Sequence, residues 1–334
     1  ALRDVVVTCA SIGVSCLVRG KVEAEGTFTA ESKLLADYVN LLPSSENVAV
    51  ELVKDDFLNI KCKNNNTRVK GLPADDFPVI PQLDKENPYR IPAADFRTAV
   101  SQVIFAVSTS ETRPEIGGVY MSFDNNMLTL VGTDSYRLAE KKVPITGNTA
   151  KQNIICPVKA LQEVLRILST LKELGEEKNV EIYVSENQIL FVMDTIELIS
   201  RLVEGQYPDY QQIIPSDPKT KTVVTTQELV KVIKTTSLFS KAGIFDINLE
   251  FVPESSSLVV STNNVQVGDS VSEISVDFTG DKNSTTLNYR FLLDGLSNIN
   301  ASQIDMDLVD SNIPCMIRPH GDNSYLYIIM PIKQ

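Results

Sequence analysis

The chain has 334 residues, 43% of them hydrophobic and 22% charged; this is more than one hydrophobic core usually holds and fits two or three ordinary globular domains. No apolar run of about 18 residues could span a bilayer, and no signal peptide follows Ala1. Five cysteines without a CxxC pair argue against both a zinc site and a disulfide framework and fit a reducing cytoplasm, while a net charge of −12 disfavours a polyanionic partner unless Lys and Arg are gathered in one place.

In chain order, residues 4–10 form a strand running into a turn. Leu34, Leu35, Tyr38, Val39 and Leu42 mark a helix stopped by Pro43, and residues 46–52 alternate as a strand. A proline-rich connector fills 78–88. After Pro92, the residues Phe96, Val100, Val103, Ile104 and Val107 recur at helical spacing, and strands follow at 119–123 and 128–134. Leu161, Val164, Leu165 and Leu168 make the next helical stripe, with a strand at 178–184 after it. A second connector runs from 208 to 218. Thr226 can cap a helix carrying Leu229, Val230, Ile233 and Leu238. Strands at 247–251 and 258–264, a helix on Leu292, Leu293 and Leu296, and a strand at 302–308 complete the series.

The helix-then-strand order of 33–52 returns 132 residues later and again in the last third, and 128–134 resembles 258–264. The economical architecture is three α+β copies, each of helices backed by antiparallel strands, with bounds 1–87, 88–214 and 215–334. Copies two and three each open with one more helix. Copy one has no counterpart, so its front is expected to be missing.

Signatures of chemistry are scarce. The single histidine, His320, sits in a Pro- and Gly-containing turn with no serine or cysteine motif beside it. There is no GxGxxG, GxxxxGK[ST] or HExxH. The carboxylate pairs Asp55-Asp56 and Asp75-Asp76 lie in turn-like contexts and read as solvated caps. No catalytic residue, cofactor or metal is expected.

Four segments carry a family likeness: Glu-Thr-Arg-Pro-Glu-Ile-Gly-Gly-Val at 111–119, Leu-Val-Gly-Thr-Asp-Ser-Tyr-Arg-Leu at 130–138, Glu-Gly-Gln-Tyr-Pro-Asp-Tyr at 204–210, and Tyr-Ile-Ile-Met-Pro-Ile at 327–332. Together with the triple repeat they resemble the bacterial sliding clamps, the beta subunits of DNA polymerase III. The resemblance implies three DNA-clamp domains per subunit and a head-to-tail homodimeric ring, with helices lining the hole and sheets forming the outer wall. Such a ring encircles double-stranded DNA without regard to sequence. It tethers the polymerase III alpha subunit, the clamp loader and other clamp-motif proteins, without membrane attachment or chemistry of its own.

On helical spacing, Lys159 and Arg166 share a face, and Lys231 and Lys234 lie one turn apart. These side chains could be merely solvated; the resemblance makes them, with Arg97 and Lys172, the expected DNA-facing set. Arg113 is not carried over, because Pro114-Glu115 stands where some relatives have DNA-touching aromatics. The resemblance places the dimer interface on a copy-one strand edge with Thr67 and Val69, against a copy-three edge at 273–278 with Ile274, Val276 and Phe278, flanked by Leu238 and Phe239. It places a groove for partner peptides on Ile116, Thr133, Tyr136, Arg137, Leu138, Pro208, Gln212, Ile213, Asn312, Pro314, Ile328, Met330 and Ile332. The apolar 325–332 segment suits that role, since chain ends are usually polar.

This chain departs from many relatives at Ser135-Tyr136, where they have Gly-His, at Gln211-Gln212, where they have a basic pair, and at Lys333-Gln334, where they end Arg-Leu. Apolar anchor sites are expected to persist and polar contacts to weaken. The rival readings are an enzyme with an unrecognised site and a repeat-built structural or interaction protein. The latter would not need the Arg137 turn or the apolar terminal segment, and a turnover screen without added polymerase tests the former.

Overall fold

The same period-3.6 stripe meets different surroundings along the chain. The computed structural model describes residues 2–9, 12–53, 57–72, 75, 77, 83–110, 112–171 and 178–333. They fall into two units, Ala1–Asp84 with Asp194–Ile199, and Lys85–Met193 with Ser200–Gln334.

In the first unit the strands Leu2–Cys9 and Ile12–Arg19 form an antiparallel hairpin, and Ala49–Val53, Phe57–Cys62 and Asn65–Lys70 a three-stranded meander. Ile60, Cys62 and Val69 are buried on one face of that meander. Helix α1 (Ser32–Asn40) buries no residue, and Leu34 and Val39 are exposed, as are Val50 and Leu52 on the first strand of the meander. The stripe is where its spacing predicts, but among the described residues this unit has no second helix to pack on it.

The second unit holds most of copy two and all of copy three. Its helices are α2 (Ala93–Ile104), α3 (Val158–Thr170), α4 (Thr226–Ser237) and α5 (Tyr289–Ser297). Here the stripes are covered: α2 packs on α3 and α4 on α5. Phe96, Val100 and Val103 of α2 and Leu161 and Val164 of α3 are fully buried. Thr226, expected as a cap, is instead the first helical residue; its hydroxyl donates to the Ala301 carbonyl at 2.7 Å, and Thr225 precedes the helix. Gln102 of α2 donates to the Asn298 carbonyl just past α5 at 3.1 Å, so the helices run side by side as α3, α2, α5, α4.

Behind the helices lies a nine-stranded antiparallel sheet. Its order is Gln152–Pro157, Gly118–Asp124, Met127–Thr133, Arg137–Pro144, Tyr325–Ile329, Cys315–Pro319, Gln303–Leu308, Thr220–Thr225, Asp277–Gly280. The first four strands come from copy two and the last five from copy three. They join where Leu138 faces Ile328. Two glycines set the helix-to-sheet distance: a Cβ on Gly132 would strike the Val103 carbonyl of α2, and one on Gly295 the Tyr327 ring. A four-stranded sheet of Gly268–Ser275, Ser257–Asn264, Asp246–Val252 and Asn283–Asn288 supports α4. Strands Thr146–Gly147, Tyr89–Pro92, Asn179–Val184 and Gln188–Met193 pair in that order in copy two. Among the described residues no helix is long and apolar enough to cross a membrane.

Candidate partner groove and nucleic-acid face

The residues expected in the groove gather around the turn between Met127–Thr133 and Arg137–Pro144. Asp134 Oδ1 accepts the backbone N–H groups of Tyr136 and Arg137, both at 3.0 Å. The Thr133 hydroxyl donates to the Arg137 carbonyl at 2.7 Å and accepts the Ser135 N–H at 3.1 Å. This network holds Ser135 at φ +78°, a left-handed conformation that favours glycine. It also aims Arg137 inward.

Arg137 is only 11% exposed. Its guanidinium donates to Asp134 at 3.0 Å, to Asp294 of α5 at 2.6 Å and to the Phe105 carbonyl at the end of α2 at 3.1 Å, and it lies 4.5 Å from the Phe291 ring centroid. Burial by itself would lower its pKa; the bond to Asp294 and the charge of Asp134 more than reverse that and raise it. Arg137 thus ties copy two to copy three.

Beneath the turn, Ile116, Val131, Leu138, Ile155, Tyr207, Tyr210, Met316 and Ile328 form one apolar cluster, with Ile213, Ile214, Val203, Tyr120 and Leu326 packed against it. Of the sequence-predicted groove residues this brings together Ile116, Leu138, Ile213 and Ile328; the first, second and fourth are fully buried and make a floor. Thr133 is buried in the turn, whereas Tyr136 is 65% exposed and stacks loosely on Phe291 at 6.4 Å. Pro208 is half-buried, and exposed Gln212 donates to Asp209 at 2.8 Å.

The last described residues form part of the same surface. Met330 N–H donates to the Tyr136 carbonyl at 2.9 Å and Ile332 N–H to the Thr286 carbonyl at 2.8 Å, leaving both side chains half-buried. Asn312 lies in the turn at Asp310, whose carboxylate accepts its N–H, and Pro314 precedes Cys315–Pro319; neither belongs to the apolar cluster.

Sequence reasoning missed Tyr207 and Tyr210, although both lie in a segment that carries the family likeness. Their hydroxyls donate to the Val131 carbonyl at 3.2 Å and to Glu140 at 2.6 Å, and Lys142 sits 2.9 Å from that same carboxylate. Burial pushes both phenols well above the usual tyrosine range. The 203–213 segment is thus pinned to the sheet by its aromatic residues. A tyrosine pair at i, i+3 flanking a proline was the available signal.

Among the expected DNA-facing residues, Arg97 on α2, Lys159 and Arg166 on α3, and Lys231 and Lys234 on α4 are all exposed. Arg166 is shared with Glu163, at 2.5 Å. Lys172 lies outside the described residues.

The expected interface edges are placed as follows. Asn65–Lys70 is one of the two outer strands of its meander, with Thr67 half-buried and Val69 turned into the core. At the copy-three edge, Ile274 and Val276 are buried within the unit and Phe278 belongs to the nine-stranded sheet. Gly268–Ser275 is an outer strand of the four-stranded sheet, paired on one side with Ser257–Asn264, and the exposed apolar residues there are Val271 and, in the preceding turn, Val265 and Val267. The expected residues alternate inward because the strand's buried face falls on Ile274, a register that spacing alone did not resolve. Leu238 is 78% exposed and Phe239 half-buried just beyond α4. His320 lies in the predicted turn, 2.6 Å from Asp305. Among the described residues no three potential ligands cluster to hold a metal.

Comparison with known proteins adds the following. The model of the DNA polymerase III beta subunit central domain matches residues 90–209, and that of its C-terminal domain matches 211–333. The curated beta sliding clamp of Bacillus subtilis is 29% identical over 314 residues, which are 93% of this chain and 82% of that protein. The crystal structure of a DNA polymerase sliding clamp from Bacillus subtilis superposes with a TM-score of 0.91 at 27% identity, covering 99% of this chain and 88% of that one. That of a DNA polymerase III beta subunit from Thermotoga maritima gives 0.90 at 25% identity, with 100% and 89% covered.

Proposed function

The chain belongs to the DNA polymerase III beta subunit family and is a DNA sliding clamp, and from that premise we propose that two copies close head to tail into a ring around duplex DNA. Each copy contributes three repeated domains, 1–87, 88–214 and 215–334. The two family models that meet at residue 210 support the second boundary. The ring works in the cytoplasm and makes or breaks no bond. It acts by topological retention, holding the polymerase III alpha subunit, the loader and other clamp-motif proteins at a high local concentration.

The observation that carries this reading is the helix row α3, α2, α5, α4, which presents Arg97, Lys159, Arg166, Lys231 and Lys234 to solvent on a chain of net charge −12. Gathering cations on one wall lets an acidic protein surround a polyanion. Lys172 is proposed as a member of the same set. Contacts go to phosphates, without base readout, as sliding requires. Ring closure is assigned to the outer strands Asn65–Lys70 and Gly268–Ser275, with Leu238 and Phe239 beside the latter. Partner peptides are assigned to the surface of Pro208, Ile213, Met330 and Ile332 above the Ile116, Leu138 and Ile328 floor.

The test is retention. The purified protein, loaded on a nicked circle, is expected to stay bound through gel filtration and to leave once the circle is linearised. Joint replacement of Lys159, Arg166, Lys231 and Lys234 by alanine should speed escape and lower the slope of log affinity against log salt by about 3–4. Unchanged retention by that variant would overturn the DNA-facing assignment.

A further inference from the structure

Strand Gly118–Asp124 alternates in a way that the groove does not explain. Val119, Met121 and Phe123 are fully buried, while Tyr120, Ser122 and Asp124 stand on the opposite face of the sheet. There, between that face and the segment from Leu202 to Gln211, lies a cleft of about 830 Å³, a volume within the range of about 300–1,000 Å³ typical of ligand sites. We infer that this cleft receives a cationic flank of the same linear peptide whose apolar anchors enter the groove. The inference rests on the groove reading proposed above.

Three observations lead to that occupant. The cleft and the groove share a wall, because Tyr207 and Tyr210 belong to the apolar cluster and also line the cleft, as does the groove residue Pro208. A chain leaving the groove over Pro208 therefore meets the cleft without a gap. Its floor is aromatic: Tyr120 and Tyr207 stack with ring centroids 5.0 Å apart, a surface that accepts the alkyl stems and charged ends of lysine and arginine. The rim then decides the sign of the occupant. Lys142 is the one lysine or arginine among the lining residues, and Glu140 already compensates it at 2.9 Å; Asp124 is matched by Lys151 at 2.8 Å. Exposed Glu186 and Glu204 face no cation among the described residues, and Asp209 accepts only from the neutral amide of Gln212. An anionic flank would be repelled, and a neutral one would leave these carboxylates unused.

The experiment uses fluorescence anisotropy with the full chain. Synthetic peptides share leucine and phenylalanine anchors and differ in a tail: none, three lysines at one end or the other, or three glutamates at those ends. At about 50 mM salt one lysine-tailed peptide should bind about fivefold more tightly than the bare peptide, and its glutamate counterpart more weakly. In the Glu186→Gln/Glu204→Gln variant that gain should fall below about twofold, with bare-peptide affinity unchanged. A lysine gain that is absent, that survives in this variant, or that is lost equally in a Glu254→Gln/Asp281→Asn control would overturn the inference. Failure of the bare peptide to bind the unaltered protein is a separate result; it would overturn the groove reading, and this inference with it.

Discussion

Helices α1 and α3 carry the same apolar stripe and lead into the same kind of strand, yet one buries nothing and the other buries Ala160, Leu161, Val164, Ile167 and Leu168. The difference is a neighbour. In the second unit α2 lies against α3, whereas among the described residues of the first unit no helix covers Leu34 and Val39. Periodicity therefore tells which face of a helix is apolar; burial, and with it most of the stabilisation, depends on what the rest of the fold brings to that face.

The largest expected effect sharpens this contrast directly. Leu161→Ala should destabilise the protein by about 2–5 kcal/mol in chemical denaturation, through lost burial and a residual cavity. Leu34→Ala should stay within about 0.5 kcal/mol, as surface changes do. Equal losses would mean that α1 is covered as fully as α3.

The next effect compares ion pairs. Arg137 lies almost wholly within the joint between α2, α5 and the sheet, and removing it strands charged and carbonyl acceptors there. Arg137→Ala is expected to cost about 2 kcal/mol. Arg166→Ala, which breaks a pair whose arginine is 66% exposed, should cost at most about 0.5 kcal/mol. Thermal melts of both variants decide the order.

The smallest effect is a dependence on pH. Glu181 accepts from Arg90 at 2.8 Å and from the Tyr183 hydroxyl at 2.9 Å, and the Arg90 hydrogen bond is the main cause that holds its carboxyl below the ordinary glutamate value of 4.5. A depressed native pKa adds stability above the unfolded value, and that contribution is lost as pH falls through 4.5 toward the lowered native value. The stability difference between the unaltered protein and Glu181→Gln should thus shrink between pH 7 and pH 3, modestly because both partners are partly exposed to solvent. A difference independent of pH would remove Glu181 from the account.

What was legible in the sequence follows the same division. The spacing of Phe96, Val100 and Val103 and of Leu161, Val164 and Leu168 marked real buried faces, because these residues meet partners within their own repeat. The resemblance grouped Ile116, Leu138 and Ile328, and the structure gathers these three in one apolar cluster. The tie from Arg137 to Asp294 was not legible, since the two lie 157 positions apart and no local pattern announces such a pair. The copy-three edge expected at 273–278 spans the meeting of two outer strands, Gly268–Ser275 and Asp277–Gly280, which spacing alone did not separate. A hydrophobic pair such as Ile274 and Val276 marks a strand equally well whether it faces a core or a partner.

The shared nine-stranded sheet also has a consequence for synthesis. Strand Arg137–Pro144 finds its neighbour in Tyr325–Ile329, so at about 5–20 residues per second on the ribosome roughly 10–40 s separate the emergence of the two strands. Through that interval the copy-two sheet presents a bare edge to every other nascent chain nearby. Lys141 and Lys142 lie on that edge, where their charges discourage foreign strands from adding to it. Once the neighbour arrives, Lys141 donates to the Ser324 hydroxyl beside it at 2.6 Å, whereas Lys142 pairs with Glu140 of its own strand. The charge that guards the edge at Lys141 thus becomes one of its ties to the later strand.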